Sequence, residues 1–240
     1  INIGDAVRTF RGGFRLFPNA ARVVTALGQL GLTLLPSIIW RKPANSPTKF
    51  MGSGMLPGGA YVTLEHEHIL IARKGAPRRA VSEAERLRRR RSAIFWEERN
   101  EWYSDLWTLR GVRQPLSRRA GGNGERSSST SASDPQSADD VERARERSAA
   151  FPLELAYRLV AMYSWKGDLV TDPFAGTGTT AAAAMALGRS SLSLDCDRHL
   201  LKVASEWLES AELLASLQAR AAARLESHAS FLDQREKPVG

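Results

Sequence analysis

The sequence predicts an α/β fold, and three observations carry that expectation. Residues 167–170, Gly-Asp-Leu-Val, read as a short buried strand. They lead through the glycine turn Thr171-Asp172-Pro173-Phe174-Ala175-Gly176-Thr177-Gly178-Thr179-Thr180 into a helix of small residues, 181–187, closed by Gly188. After Asp197 the chain is rich in Leu and Ala, with Glu and Arg interspersed to about Phe231, the pattern of one or two surface helices. The 240 residues are 42% hydrophobic, enough for a globular core, and no apolar run approaches the length of a membrane span.

The turn suits a nucleotide-type ligand. Gly176 and Gly178 tolerate positive φ and let a ligand approach the backbone, and a helix starting near Thr179 offers free N–H groups. A P-loop is excluded because no Gly-Lys-Ser/Thr is present at the turn, and the spacing also misses the three-glycine dinucleotide fingerprint.

Asp172-Pro173-Phe174-Ala175-Gly176-Thr177-Gly178-Thr179-Thr180 resembles the S-adenosylmethionine motif of the amino-methylating DNA methyltransferases, the cytosine-N4 and adenine-N6 family. Upstream, Phe151 and Pro152 with the following 153–160 are similar to the family's helix beside the methionine end of the cofactor. Downstream, Ser191-Leu192-Ser193-Leu194-Asp195 is similar to its second strand, whose terminal carboxylate accepts from the ribose hydroxyls. A ribose diol presents two donors and an ionised acid only accepts, so the chemistry matches, the plainer reading of Asp195 being a solvated loop acid. The resemblance implies a Rossmann-like, S-adenosylmethionine-dependent methyltransferase fold with a mixed sheet and an antiparallel hairpin. Because the cofactor motif lies in the C-terminal half, it also implies the circularly permuted order.

In that order residues 1–75 correspond to the later part of the catalytic half. Residues 1–5 resemble the end of a central strand, 19–28 a helix, and 34–42 and 65–74 two strands pairing as the family's final hairpin; 45–60, rich in Gly and Pro, is the loop between them. Residues 76–116 are expected to be a basic and aromatic recognition segment, 117–147 a flexible linker too polar and Gly/Ser-rich to build a core, 148–232 the cofactor half and 233–240 a frayed tail, all within one catalytic domain. No Pro-Pro pair occurs, so the family's Ser/Asp-Pro-Pro-Tyr catalytic block is not in this sequence, and no catalytic residue is assigned. A chain truncated upstream and inactive by itself, a variant that has lost catalysis, and a block carried on another polypeptide all stay open.

A net charge of +8 points to an anionic partner. Residues 73–91 hold nine basic residues against Glu83 and Glu85, contributing +7. Within the run, Arg88, Arg89, Arg90 and Arg91 are candidate phosphate contacts, and a solvated helix face is the alternative. Phe95, Trp96, Arg99, Trp102, Tyr103, Leu106 and Trp107 recur at helical spacing, either a core-docking stripe or a stacking surface near a displaced base. Arg110 and Arg113 follow as candidate contacts, Gln114 as a base reader, and Arg41 and Lys42, in a stretch resembling a DNA-proximal loop, as further phosphate contacts.

The single cysteine, Cys196, excludes an internal disulfide and reads as a small core residue rather than a nucleophile; the Pro-Cys block of carbon-5 cytosine methyltransferases is lacking. In Glu65-His66-Glu67-His68 the histidines point to one face and the acids to the other, so no metal site is expected. The N-terminus carries no signal-peptide pattern, and a cytoplasmic location is expected. The resemblance implies S-adenosylmethionine as cofactor, double-stranded DNA as partner and a cognate restriction endonuclease in a restriction-modification system. Methyl transfer to the exocyclic amine of cytosine is the first reading, on the Asn-Ile-Gly-Asp opening and the Ile-Ile-Trp-Arg-Lys-Pro stretch. Transfer to adenine, or a non-catalytic cofactor- or DNA-binding module, is the alternative.

Overall fold

The computed structural model describes residues 1–10, 13–43, 51–52, 57–58, 60–75, 81–113 and 149–236. Most of the expected 45–60 loop, Arg78, Arg79, Gln114, the 117–147 linker and residues 237–240 lie outside them. The chain packs as two compact units, Ile1–Glu83 with Glu98–Arg110, and Ala84–Glu97 with Gly111–Gly240.

The first unit is organised by β4 (Thr33–Arg41) and β7 (His66–Arg73), which pair antiparallel as the resemblance implies. Pro36 cannot donate to a ladder, and the register shifts between Leu35 and Ile38. β1 (Asn2–Ile3) adds antiparallel to β7, and β8 (Leu106–Thr108) adds parallel to β4, giving a mixed sheet ordered β1-β7-β4-β8. Residues 1–5 thus hold a short strand, Asn2–Ile3, that stands at the edge of this sheet among the described residues. An unforeseen hairpin follows, β2 (Ala6–Phe10) on β3 (Gly13–Phe17), and β5 (Met51–Gly52) pairs with β6 (Ala60–Tyr61). Helix α1 (Asn19–Gln29) begins where Asp5 Oδ1 accepts from Ala20 N at 2.9 Å, an acceptor for a helix N–H that has no intrahelical partner.

The aromatic stripe is not one helix. After α2 (Glu83–Arg91), α3 (Trp96–Trp102) stops, and Leu106–Thr108 is strand. Helical spacing lost to sheet pairing: Ile39 N donates to Asp105 O at 2.7 Å, and the alternation Leu106 out, Trp107 in, Thr108 out has period two. Trp40, Trp102 and Trp107 are buried. The indole of Trp40 donates through Nε1 to Leu109 O at 2.9 Å, and that of Trp107 to Trp102 O at 3.1 Å.

In the second unit, β9 (Val112–Arg113) pairs with β10 (Ala149–Ala150), and α4 (Leu153–Tyr163) leads to β11 (Leu169–Asp172). The strand begins later than the sequence suggested, because Gly167 at φ 82° and Asp168 form the turn before it. Helix α5 (Thr179–Ala186) then crosses to β12 (Ser190–Ser193), parallel to β11. Ala181, Ala182, Ala183 and Ala184 are all buried, and side chains this small let α4 pack against α5. Helices α6 (Arg198–Leu208) and α7 (Ala211–Glu236) complete the unit, with Leu213 and Leu217 on the Ala182 core. α7 continues through 233–236, expected as tail. Cys196 is exposed, not core, since β12 ends at Ser193 and leaves it on the following loop.

Candidate functional site

Two acids stand at and just past the C-terminal ends of parallel strands, with the glycine turn between them. β11 ends on Asp172, whose Oδ1 accepts from Phe174 N at 3.0 Å and Oδ2 from Thr180 Oγ1 at 2.5 Å. The β12 side is tied in by Leu194 N on Asp172 O (2.8 Å) and Ala175 N on Leu194 O (2.9 Å). Asp195 then braces the turn from beyond the second strand: Oδ2 accepts from Gly176 N at 2.8 Å and Oδ1 from Asp197 N at 2.9 Å. The backbone N–H groups of Asp197 and Gly176 hold the Asp195 carboxyl below its usual range, so it is ionised at neutral pH. Cys196 adds weaker hydrogen bonds from its thiol and its backbone, and the Asp195 residue is half-buried.

The turn needs its glycines. Gly176 has φ 53°, and Gly178, the residue before α5, has φ 85°. A Cβ on Gly178 would lie 3.2 Å from Ala204 Cβ and 3.4 Å from Leu208 Cδ1, so this glycine also sets how closely α5 meets α6. Ala182 N donates to Gly178 O at 3.0 Å, so the helix starts at Thr179 as expected. Thr179 and Thr180 are half-buried, Pro173 is exposed, and Phe174 is 87% exposed beside the glycines. Phe151 and Pro152, both half-buried, lead into α4, where Leu155 N bonds Pro152 O at 3.0 Å.

The candidate cations divide between the units. In the first, Lys42 Nζ pairs with Glu67 Oε1 and lies 4.2 Å from the Trp40 ring centroid, while Asn2 Nδ2 donates to Glu67 Oε2 at 2.6 Å. Arg41 is exposed, 3.7 Å from Glu65, and Arg110 is exposed. In the second, Arg89, Arg90 and Arg91 are exposed, Arg88 pairs with Asp168, and Arg113 lies in β9 opposite Ala149. His66 and His68 do share a face, with ring centroids 5.0 Å apart.

Sequence reasoning passed over three groups that support the turn. Asp197 Oδ1 caps α6 through His199 N at 2.9 Å, a role its position ahead of a helical pattern signals. Arg189 donates to Ser164 O at 2.8 Å and to Leu187 O, tying the loop after α4 to the end of α5. Glu154 pairs with Arg158 and Arg220; burial pushes its carboxyl up, but the two guanidiniums outweigh that and hold it below its usual range. Pairing across 66 residues, as between Glu154 and Arg220, leaves no local sequence signal.

The DNA methylase family of N6/N4 methyltransferases matches residues 2–206. The chain is 50% identical over 200 residues to the type II methyltransferase M.MthZI of Methanothermobacter thermautotrophicus, covering 83% of this chain and 50% of that protein. It is 41% identical over 206 residues to M.MjaI of Methanocaldococcus jannaschii, covering 86% and 59%. The chain therefore spans between half and three fifths of these relatives. Among solved structures, the DNA modification methylase TTHA0409 of Thermus thermophilus, in complex with S-adenosyl-L-methionine, superposes with a TM-score of 0.59 at 28% identity, covering 86% of this chain and 66% of that one. The cytosine-N4-specific PvuII DNA methyltransferase superposes at 0.53 with 16% identity over 91% and 67%, a likeness of fold.

Proposed function

The chain belongs to the DNA methylase family of N6/N4 methyltransferases, and from that premise we propose that it forms the cofactor-binding part of an S-adenosylmethionine-dependent DNA methyltransferase acting on the exocyclic amine of cytosine. The observation that carries the reading is the turn between Asp172 and Asp195. Its residues fit the cofactor: two positive-φ glycines with no side chain to obstruct a ligand, an ionised, half-buried Asp195 whose chemistry suits a ribose diol, and an aromatic ring, Phe174, left almost wholly uncovered. Asp195 would hold the ribose, Asp172 would face the methionine amino group, and Phe174 would form the apolar wall. Phe151, Pro152, Pro173, Thr179 and Thr180 would line the rest.

Bound there, S-adenosylmethionine supplies an electrophilic methyl carbon. The residues of this chain orient it; holding two reactants in line removes entropy from the barrier without any covalent enzyme intermediate. The residues of 1–75 are read as the later catalytic half within one catalytic domain, and Arg41, Arg89, Arg90, Arg91, Arg110 and Arg113 as contacts to double-stranded DNA, whereas Lys42 and Arg88 are engaged by Glu67 and Asp168. A matching restriction endonuclease and a cytoplasmic location complete the proposal; among the described residues no helix is long and apolar enough to cross a membrane.

Calorimetric titration with S-adenosylmethionine tests the reading. The chain should bind, and Asp195→Ala should weaken binding at least tenfold, about 1.4 kcal/mol, while leaving DNA affinity unchanged. Equal loss of both affinities, or full cofactor affinity in the variant, would show the site misplaced. With a Ser/Asp-Pro-Pro-Tyr segment supplied alongside the chain, hydrolysis of the modified DNA should yield N4-methylcytosine; N6-methyladenine would move the assignment to the adenine branch.

A further inference from the structure

The arginine run on α2 divides into two roles. α2 buries no residue, and nine residues are too few for a helix to persist alone in water, so contacts outside it must hold it. Positions 85, 88 and 92 are half-buried at helical spacing, while Arg86, Arg89, Arg90 and Arg91 are exposed. Arg88 and Ser92 meet the turn before β11. Arg88 Nε donates to Lys166 O at 3.1 Å and its terminal nitrogen to Asp168 Oδ1. Ser92 Oγ accepts from Lys166 N at 2.7 Å and donates to Arg88 O at 2.8 Å. Asp168 Oδ2 accepts from Trp165 N at 2.8 Å, which fixes the carboxylate, and Gly167, at φ 82°, forms the turn that carries Lys166 O and Asp168 to Arg88.

The turn is itself fastened to the sheet, Gly167 N on Gly188 O at 2.8 Å and Ser190 N on Asp168 O at 2.9 Å. At about 100° per residue, Arg86 and Arg90 project from the side of the helix opposite Arg88, with Arg89 between. We propose that Arg88, Asp168 and Ser92 are positioning residues that hold α2 so that Arg86, Arg89 and Arg90 present one guanidinium face to the phosphates of a DNA duplex. Arg88 then acts through its anchor and not as a phosphate contact. The anchor lies at the start of β11, about 13 Å along the strand from Asp172. The inference rests on the reading of the chain as a DNA methyltransferase and deepens it.

Binding of a fluorescent random-sequence DNA duplex, measured by anisotropy against KCl concentration, tests it in the 240-residue chain. Removing two phosphate contacts with Arg86→Gln/Arg90→Gln should flatten the slope of log affinity against log salt by about 2. Asp168→Asn removes a negative charge, which by charge alone tightens DNA binding; the anchor predicts a several-fold loss instead, with Asp168→Glu recovering most of it. Ser92→Ala changes no charge and should weaken binding in the same direction, which guards against a folding defect in Asp168→Asn. Parent-like or tighter binding by both Asp168→Asn and Ser92→Ala overturns the proposal, as does a parallel loss of S-adenosylmethionine affinity, which would make the anchor a support for β11 alone. A parent chain that binds DNA without salt dependence overturns the DNA reading beneath it, an outcome visible before any variant is made.

Discussion

Replacing Gly178 with alanine tests the turn where backbone and packing constrain it together. The residue sits at φ 85° and ψ 19°, a left-handed conformation that costs an L-residue about 1–2 kcal/mol. The new methyl would stand 3.2 Å from Ala204 Cβ, which is fixed to the α6 backbone, and 3.4 Å from Leu208 Cδ1 on the same helix. Overpacking of this kind costs about 1–3 kcal/mol. Strain and crowding together predict a destabilisation of about 2–4 kcal/mol, since the shift that relieves one partly relieves the other. Urea denaturation of the chain and of Gly178→Ala measures it. A cycle with Ala204→Gly separates the parts: that change removes the nearer methyl and leaves the φ strain, so the double variant should recover about 1 kcal/mol relative to additivity. Because α5 starts at Thr179, the same shift should weaken S-adenosylmethionine binding in the folded variant. A destabilisation below about 0.5 kcal/mol, the size of an ordinary surface change, would refute both the backbone strain and the close α5–α6 approach.

Two further outcomes follow from charges the fold engages. Glu154→Gln should cost about 1–3 kcal/mol by thermal melting at pH 7, since it leaves the buried Arg158 with a neutral partner. The folded carboxyl of Glu154 is held below its usual value, so its contribution is present above the ordinary carboxylate range and is lost as pH falls through the folded value. The stability of the variant should therefore depend less steeply on pH in that acid window, and an unchanged pH profile would contradict the ion pairing. Lys42→Met should leave the salt slope of DNA binding nearly unchanged, because the ammonium is held by Glu67 and the Trp40 ring; Arg41→Gln, at an exposed guanidinium, should reduce it by about 0.9 for each phosphate that Arg41 neutralises.

The parts of the fold legible in the sequence are those where local chemistry and tertiary need agree. Gly176, Gly178 and Gly188 each occupy a backbone conformation that favours glycine, so the turn and the end of α5 could be read from composition and order alone. The antiparallel pairing of β4 with β7 came instead from the family resemblance, the Gly/Pro-rich segment between them marking only a loop. The stretch 95–107 was not legible, because its aromatic spacing satisfies a helix, and the bond from Ile39 N to Asp105 O that turns its end into a strand comes from a partner more than sixty residues away in sequence. Asp195 shows the same limit within the site. The family resemblance implies a ribose acceptor there, and in the fold Asp195 also braces Gly176 and Asp197, so the carboxylate shapes the turn before any ligand arrives. That double duty separates two substitutions a sequence reading would treat alike: Asp195→Asn keeps one oxygen acceptor and should hold either the Gly176 or the Asp197 amide while losing ribose affinity, whereas Asp195→Ala should release both amides and loosen the turn itself.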